Sequence, residues 1–214
     1  MTERSLPPPT LERLPVYVRV LDELARRGET TASSTRVAEL AGVAPAQVRK
    51  DLSRLGTYGT RGVGYDVPGL AEHVRRALHL SDAHRVVVVG AGHLGQAVAR
   101  YAGLRARGFE VVALTDVDPA VVGTVVGGVR VAHEDDLGEV VRSTGATTAV
   151  LAVPPAAAQV SLDALAAAGV RSVLSFVPGR LAVPDGVALR VVDVAAELQI
   201  LSFYAAAQAR PSTP

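Results

Sequence analysis

No cysteine occurs among the 214 residues, so disulfides, zinc–thiolate sites and reactive thiols are all excluded. A redox response, if the chain has one, must therefore act through a bound molecule. Any uninterrupted apolar run of about 18 residues is also missing, which argues against a membrane span. The opening MTERSLPPPT lacks the apolar core of a signal peptide. A cytoplasmic protein with no membrane partner is the expectation. Nor is there a large excess of charge of one sign, the net being +1. Its distribution is uneven, however. Residues 1–80 carry 12 Lys and Arg against 9 Asp and Glu, a surplus of +3; residues 81–214 carry 10 against 12, a balance of −2. An anionic partner should be sought at the first segment, which also holds Lys50, the single lysine.

What is present divides in the same way. The first eighty residues read as short helices. Leu11 to Arg27 has a helical apolar stripe of Val16, Val20, Leu21 and Leu24, ended by Gly28. Ser33 or Ser34 is placed to cap a second short helix closed by Gly42. In VAPAQVRKDLSRLG, Pro45 suits a first helical turn, and Val48, Leu52 and Leu55 fall at i, i+4 and i+7. Those three face inward and leave Gln47, Arg49, Lys50, Ser53 and Arg54 on the surface. TYGTRGVGYDV follows, with glycines at 59, 62 and 64 between β-formers, a hairpin signal. A further helix, roughly Pro68 to Leu80, leads to a polar connector.

Helix, short helix, turn, basic helix, glycine hairpin is the order of a winged helix-turn-helix, whose second helix enters the major groove. Gln47, Arg49, Lys50, Ser53 and Arg54 are then the candidate DNA contacts. Arg61 at the hairpin tip is suited to phosphate rather than to base reading. A helical domain with an ordinary solvated basic face, or one used for protein contacts, fits the same pattern.

The second segment alternates strand and helix: VVVVG, HLGQAVARYAGL, FEVVALTD, TTAVLAV, AAAQVSLDALAAAG, VRSVLSFV. Val-rich strands in this rhythm predict an α/β fold with a parallel sheet covered on both faces. The last helix, within DVAAELQILSFYAAAQAR, is apolar on more than one face, so a partner subunit is its expected cover.

Gly90, Ala91, Gly92, His93, Leu94 and Gly95 form a GxGxxG between a strand and a helix, the context in which it cradles a pyrophosphate. Asp116 ends the next strand, where a carboxylate accepts from the ribose hydroxyls and repels a 2′-phosphate; NADH or NAD+ is favoured over the phosphorylated forms. Chemistry is harder to find. Of the five histidines, His93 lies in the phosphate loop, and His133 in VAHEDD reads more simply as a loop residue than as a base. No catalytic residue and no metal ligand set is expected.

VRKDLSRLGTYGTRGVGYDV, GAGHLGQAVARY and LTDVDP together resemble the Rex family of redox-sensing transcriptional repressors, and the resemblance runs from LPVYVRVL to ELQILSF. It implies a winged-helix DNA-binding domain (1–80), a Rossmann NAD(H)-binding domain (81–192) and a C-terminal helix and tail (193–214) exchanged within a homodimer. It also implies a double-stranded, palindromic DNA operator and release by NADH. A switch is implied at Arg19, Tyr101 and Asp193, with Tyr101 also at the nucleotide. His93 and Ser175 stand where the family commonly has Asn. Two alternatives remain open on the residues: a small NAD-dependent oxidoreductase, and a CoA-binding protein, because LAVPPAAAQVSLDALAAAGVRSVLSF resembles segments of CoA-ligase α-subunits. Asp116 counts against the latter, since the CoA ribose carries a 3′-phosphate.

Overall fold

The computed structural model describes residues 6–57, 59–60, 62–80 and 82–208. The chain divides into two compact units between Asp82 and Ala83. In the first, helix α1 spans Pro8–Arg26. It starts three residues before the expected Leu11, because prolines at its first turn have no N–H to satisfy. Strand β1 (Thr31–Ala32) precedes α2 (Ser34–Ala41), whose N-cap Ser33 accepts from the Arg36 N–H at 3.1 Å and whose C-cap Gly42 is left-handed. Helix α3 (Pro45–Arg54) follows with its proline in the first turn. Strand β2 (Tyr65–Asp66) pairs antiparallel with β1, Thr31 opposite Asp66 and Ala32 opposite Tyr65. Helix α4 (Val67–Ala77) is capped by Asp66, whose carboxylate accepts from the Gly69 N–H at 2.7 Å.

One core holds these elements together: Leu14, Tyr17, Leu21 and Leu24 of α1 pack with Val37, Val48, Leu52, Val67, Leu70 and Val74. Burying each Leu there stabilises the unit by roughly 2 kcal/mol. Beyond the β1–β2 pair, the described residues of the hairpin form one bridge, between Thr60 and Gly64. Gly64 is left-handed, and a Cβ there would meet the Ala32 carbonyl oxygen at 2.5 Å, so only glycine lets the hairpin close onto β1. Arg61 lies outside the described residues.

The second unit is a seven-stranded sheet. Its parallel strands are β3 (His84–Val89), β4 (Phe109–Asp116), β6 (Val129–His133), β7 (Thr148–Leu151), β8 (Ser172–Ser175) and β9 (Ala188–Val191). A short β5 (Val125–Val126) adds an antiparallel edge, giving the order β5-β6-β4-β3-β7-β8-β9. Among the parallel strands that is 3-2-1-4-5-6, the doubly wound arrangement that binds dinucleotides where the strand order reverses. The reversal falls between β3 and β7. Helices α7 (Leu137–Thr144) and α8 (Pro155–Ala167) cover one face, Leu137, Val141, Leu162 and Leu165 sharing a core with Val87, Val89 and Leu151 of the sheet. On the other face, α5 (His93–Arg100) contributes Val98 and Ala99 against Val86, Val88 and Leu114.

Two features depart from the sequence reading. The helix expected over 93–104 breaks at Tyr101, whose backbone is extended, and resumes as the one-turn α6 (Ala102–Arg105). Strand β9 was not anticipated; its residues are mostly exposed at the sheet edge and carry no alternating pattern. The final helix, α9 (Val194–Gln208), exposes Leu198, Ile200, Leu201, Phe203 and Tyr204. Among the described residues no helix is long and apolar enough to cross a membrane.

Candidate functional site

The glycine fingerprint occupies the turn from β3 into α5, and its three glycines meet different surroundings. Gly90 is left-handed, and a Cβ there would lie 2.4 Å from the Ala152 carbonyl oxygen of the chain leaving β7. At Gly95 a Cβ would lie 1.8 Å from the Gly90 carbonyl oxygen, so helix and strand close on each other only without one. Gly92 faces open space, nothing lying within 4 Å of a Cβ built there. That is the position where backbone must approach a pyrophosphate. No side chain caps the start of α5, so its first N–H groups and the positive end of its dipole are available to an anion. His93 and Leu94 open the helix at the surface, while Ala91 is buried.

Asp116 ends β4 beside this loop. Its carboxylate accepts from the Ala91 N–H at 2.6 Å and the Asp118 N–H at 2.9 Å, which fixes it against the turn. Each oxygen retains a lone pair for a ribose hydroxyl. The residues therefore fit a dinucleotide: an uncapped helix start for the phosphates, a glycine with space above it, and an oriented carboxylate. Ser175 is fully buried at the end of β8, its Oγ accepting from the Val177 N–H at 3.1 Å.

Tyr101 is exposed and folded back over Gly103: a Cβ at 103 would meet its Cζ at 2.4 Å. Its hydroxyl accepts from Arg107 Nη1 at 3.2 Å. Asp193 caps α9, accepting from the Ala196 N–H at 3.0 Å, and Arg19 is exposed on α1. His133 closes β6 and caps the short turn after it, Nδ1 accepting from the Asp135 N–H at 3.2 Å. Among the described residues no group of three or more His, Asp or Glu is placed to hold a metal.

On the first unit, a groove of about 650 Å³ runs between α3 and the hairpin, lined by Ser33, Ser34, Arg49, Lys50, Thr57 and Thr60 among others. Arg49 and Lys50 are exposed there, and Arg49 Nη1 donates to Ser34 Oγ at 3.0 Å. Ser34, Thr57 and Thr60 were not expected among the DNA contacts; the sequence offered Ser34 only as a helix cap. The other candidates on α3 are differently engaged. Ser53 Oγ donates to the Lys50 carbonyl at 2.9 Å. Gln47, expected on the open surface, is half-buried and donates to the buried carboxylate of Asp51, while Arg54 is exposed as expected with its Nη1 3.7 Å from the same carboxylate. Asp51 itself was not singled out in the sequence.

Comparison with known proteins supports both halves. Residues 5–53 match the family described as putative DNA-binding protein N-terminus, and residues 81–179 match the CoA binding domain. The redox-sensing transcriptional repressor Rex of Streptomyces griseus is 49% identical over 201 residues, covering 94% of this chain and 79% of that protein. Its counterpart in Desulfitobacterium hafniense is 44% identical, covering 95% and 97%. Among solved structures, RSP in complex with β-NAD+ and operator DNA gives a TM-score of 0.90 at 30% identity, covering 96% of this chain and 95% of that one. RSP in complex with β-NADH gives 0.86 at 28% identity, covering 96% and 97%. A winged-helix unit joined to a dinucleotide-binding sheet defines a class, the DNA-binding regulators that carry a nucleotide-sensing domain. Within that class the chain belongs to the Rex family of redox-sensing transcriptional repressors, a family of regulators rather than of enzymes.

Proposed function

We propose that the protein is a cytoplasmic, homodimeric repressor that occupies a palindromic operator when NAD+ prevails and leaves it when NADH binds. The observation that carries this is the coexistence, in one chain, of an exposed Arg49–Lys50 groove and an uncapped GxGxxG turn beside Asp116. Arg49 and Lys50 on α3 are assigned to the major groove, and Ser34, Thr57 and Thr60 to flanking phosphates. The turn from Gly90 to Gly95 is assigned to the pyrophosphate and Asp116 to the adenosine ribose. Arg19, Tyr101 and Asp193 are retained as the switch residues.

The exposed apolar side chains of α9 are assigned to the dimer, where a second subunit removes them from water. Two recognition helices must reach successive major grooves about 34 Å apart, so a change in subunit geometry prevents both from docking together. NADH acts by binding the non-docking state more tightly, and by linkage DNA weakens NADH binding by the same factor.

The test is fluorescence anisotropy of the protein on fragments of its own upstream DNA, at fixed salt, with NADH titrated against constant NAD+. Sequence-dependent binding reversed by NADH is the expected result. DNA binding indifferent to NADH would sink the sensing role, and no binding on any fragment would sink the repressor. The match of residues 81–179 to a CoA binding domain makes CoA the control ligand. Release by CoA in place of NADH would reassign the turn.

A further inference from the structure

Asp51 lies in the middle of the basic helix α3, yet its side chain is fully buried. Its Oδ1 accepts from Thr10 Oγ1, Arg13 Nη2 and Gln47 Nε2, each at 2.9 Å. Its Oδ2 accepts from Arg13 Nε at 2.7 Å and from the Tyr17 hydroxyl at 2.9 Å. Arg54 closes around the same centre, donating to Thr10 Oγ1 at 2.6 Å with Nη1 3.7 Å from Asp51 Oδ1. Thr10, Arg13 and Tyr17 all belong to α1; Gln47 and Arg54 belong to α3.

The apolar contact of α3 with the core comes from Val48 and Leu52. Such contact is not directional. It restrains the spacing of two helices more than the rotation of one about its own axis. A forked guanidinium–carboxylate pair is directional. Gln47 is also affected: reading an adenine edge takes the amide oxygen and nitrogen together, and the nitrogen is engaged by Asp51.

We propose that Asp51 is the positioning residue for operator recognition, fixing the roll of α3 on α1 and holding Gln47 and Arg54 away from the bases so that Arg49 and Lys50 do the reading. This rests on the DNA-binding role proposed above. Wild-type protein must first show operator binding reversed by NADH; its failure to do so would count against that role, not against Asp51 in particular.

The experiment then compares anisotropy on the operator duplex and on a scrambled duplex of equal length and salt, with NADH affinity read alongside. Asp51→Asn is expected to lower operator affinity tenfold or more and scrambled-duplex affinity less than threefold, with NADH affinity unchanged. Because that variant leaves a partly buried arginine short of its partner and can misfold, Arg13→Met/Tyr17→Phe/Asp51→Leu serves as the apolar replacement. Folded, it is expected to bind both duplexes nearly alike. Wild-type discrimination in that triple variant would overturn the role. Gln47→Ala and Arg54→Ala, which each remove one donor from the cluster but leave the Arg13–Asp51 fork and Tyr17 in place, are expected to change discrimination less than threefold. A tenfold loss at either would show that it reads the bases directly, and would equally overturn the role.

Discussion

The backbone N–H of Ala91 donates to the carboxylate of Asp116 at 2.6 Å, tying the turn after β3 to the end of β4. The carboxylate thus orients the phosphate loop as well as offering itself to a ribose. Asp116→Asn keeps the shape, loses the charge, and exchanges one acceptor oxygen for an N–H₂ donor. NADH affinity is expected to fall about tenfold, roughly the worth of one charge-assisted hydrogen bond, with NADPH binding gaining relative to NADH. Titration calorimetry with both nucleotides reads this directly. An unchanged preference would mean that Asp116 does not face the ribose.

Gly92 and Gly95 separate ligand binding from folding. Alanine at 92 meets no protein atom, whereas alanine at 95 collides with the Gly90 carbonyl. Gly92→Ala is expected to lose NADH binding tenfold or more with an unchanged melting temperature. Gly95→Ala is expected to lower the melting temperature of the nucleotide-binding unit by several degrees, the scale of a 1–3 kcal/mol overpacking penalty. Differential scanning fluorimetry with and without NADH distinguishes the two.

Arg49 and Lys50 are, among the described residues, the exposed cations lining the groove. Replacing both by alanine is expected to abolish operator binding and spare NADH binding. Each single substitution should reduce the salt slope of DNA binding by about 1 if the side chain meets a phosphate, and relax sequence preference if it meets a base. Loss of nucleotide binding in the double variant would show that the two roles are not separable.

Protonation provides a fourth test. Burial pushes the Asp51 carboxyl up, but the hydrogen bonds from Arg13, Tyr17, Thr10 and Gln47 outweigh it and hold the group at about 2, below its ordinary 3.8. A folded value below the unfolded one makes the stabilisation complete above about pH 4 and removes it as pH falls through about 2. The amount is roughly 2–3 kcal/mol. Urea titrations of wild type and Asp51→Asn should show a gap at pH 5 that narrows by pH 2; a gap independent of pH would refute the ionised pair.

Phe203 on α9 is 70% exposed. Phe203→Glu is expected to yield monomers in light scattering and to weaken operator binding at least tenfold, because one recognition helix then binds alone. A stable dimer in this variant would move the interface elsewhere.

Much of this architecture is legible in the sequence because its causes are local. GAGHLG needs glycine where the backbone of β3, α5 and the chain after β7 nearly touch, and Val-rich runs have no stable place but a buried parallel strand. What escaped detection has causes distant in the chain. Asp51 looks like a surface charge until Arg13, 38 residues earlier, is brought against it. Nothing in AVARYAGL foretells a break at Tyr101, where the ring meets Gly103 only once the chain has already turned. Strand β9 borrows its conformation from β8 rather than from any pattern of its own.

The root of the hairpin has a consequence for how such a protein can diversify. Three features seat it: Gly64 against the Ala32 carbonyl, the β1–β2 pair, and the buried ring of Tyr65. None of those contacts involves the side chain of Val63, which projects into solvent beside Gly62. Placement of the wing and chemistry of its tip are thus independent traits. Mutation can rewrite the tip to suit a new DNA flank while the scaffold that aims it stays the same.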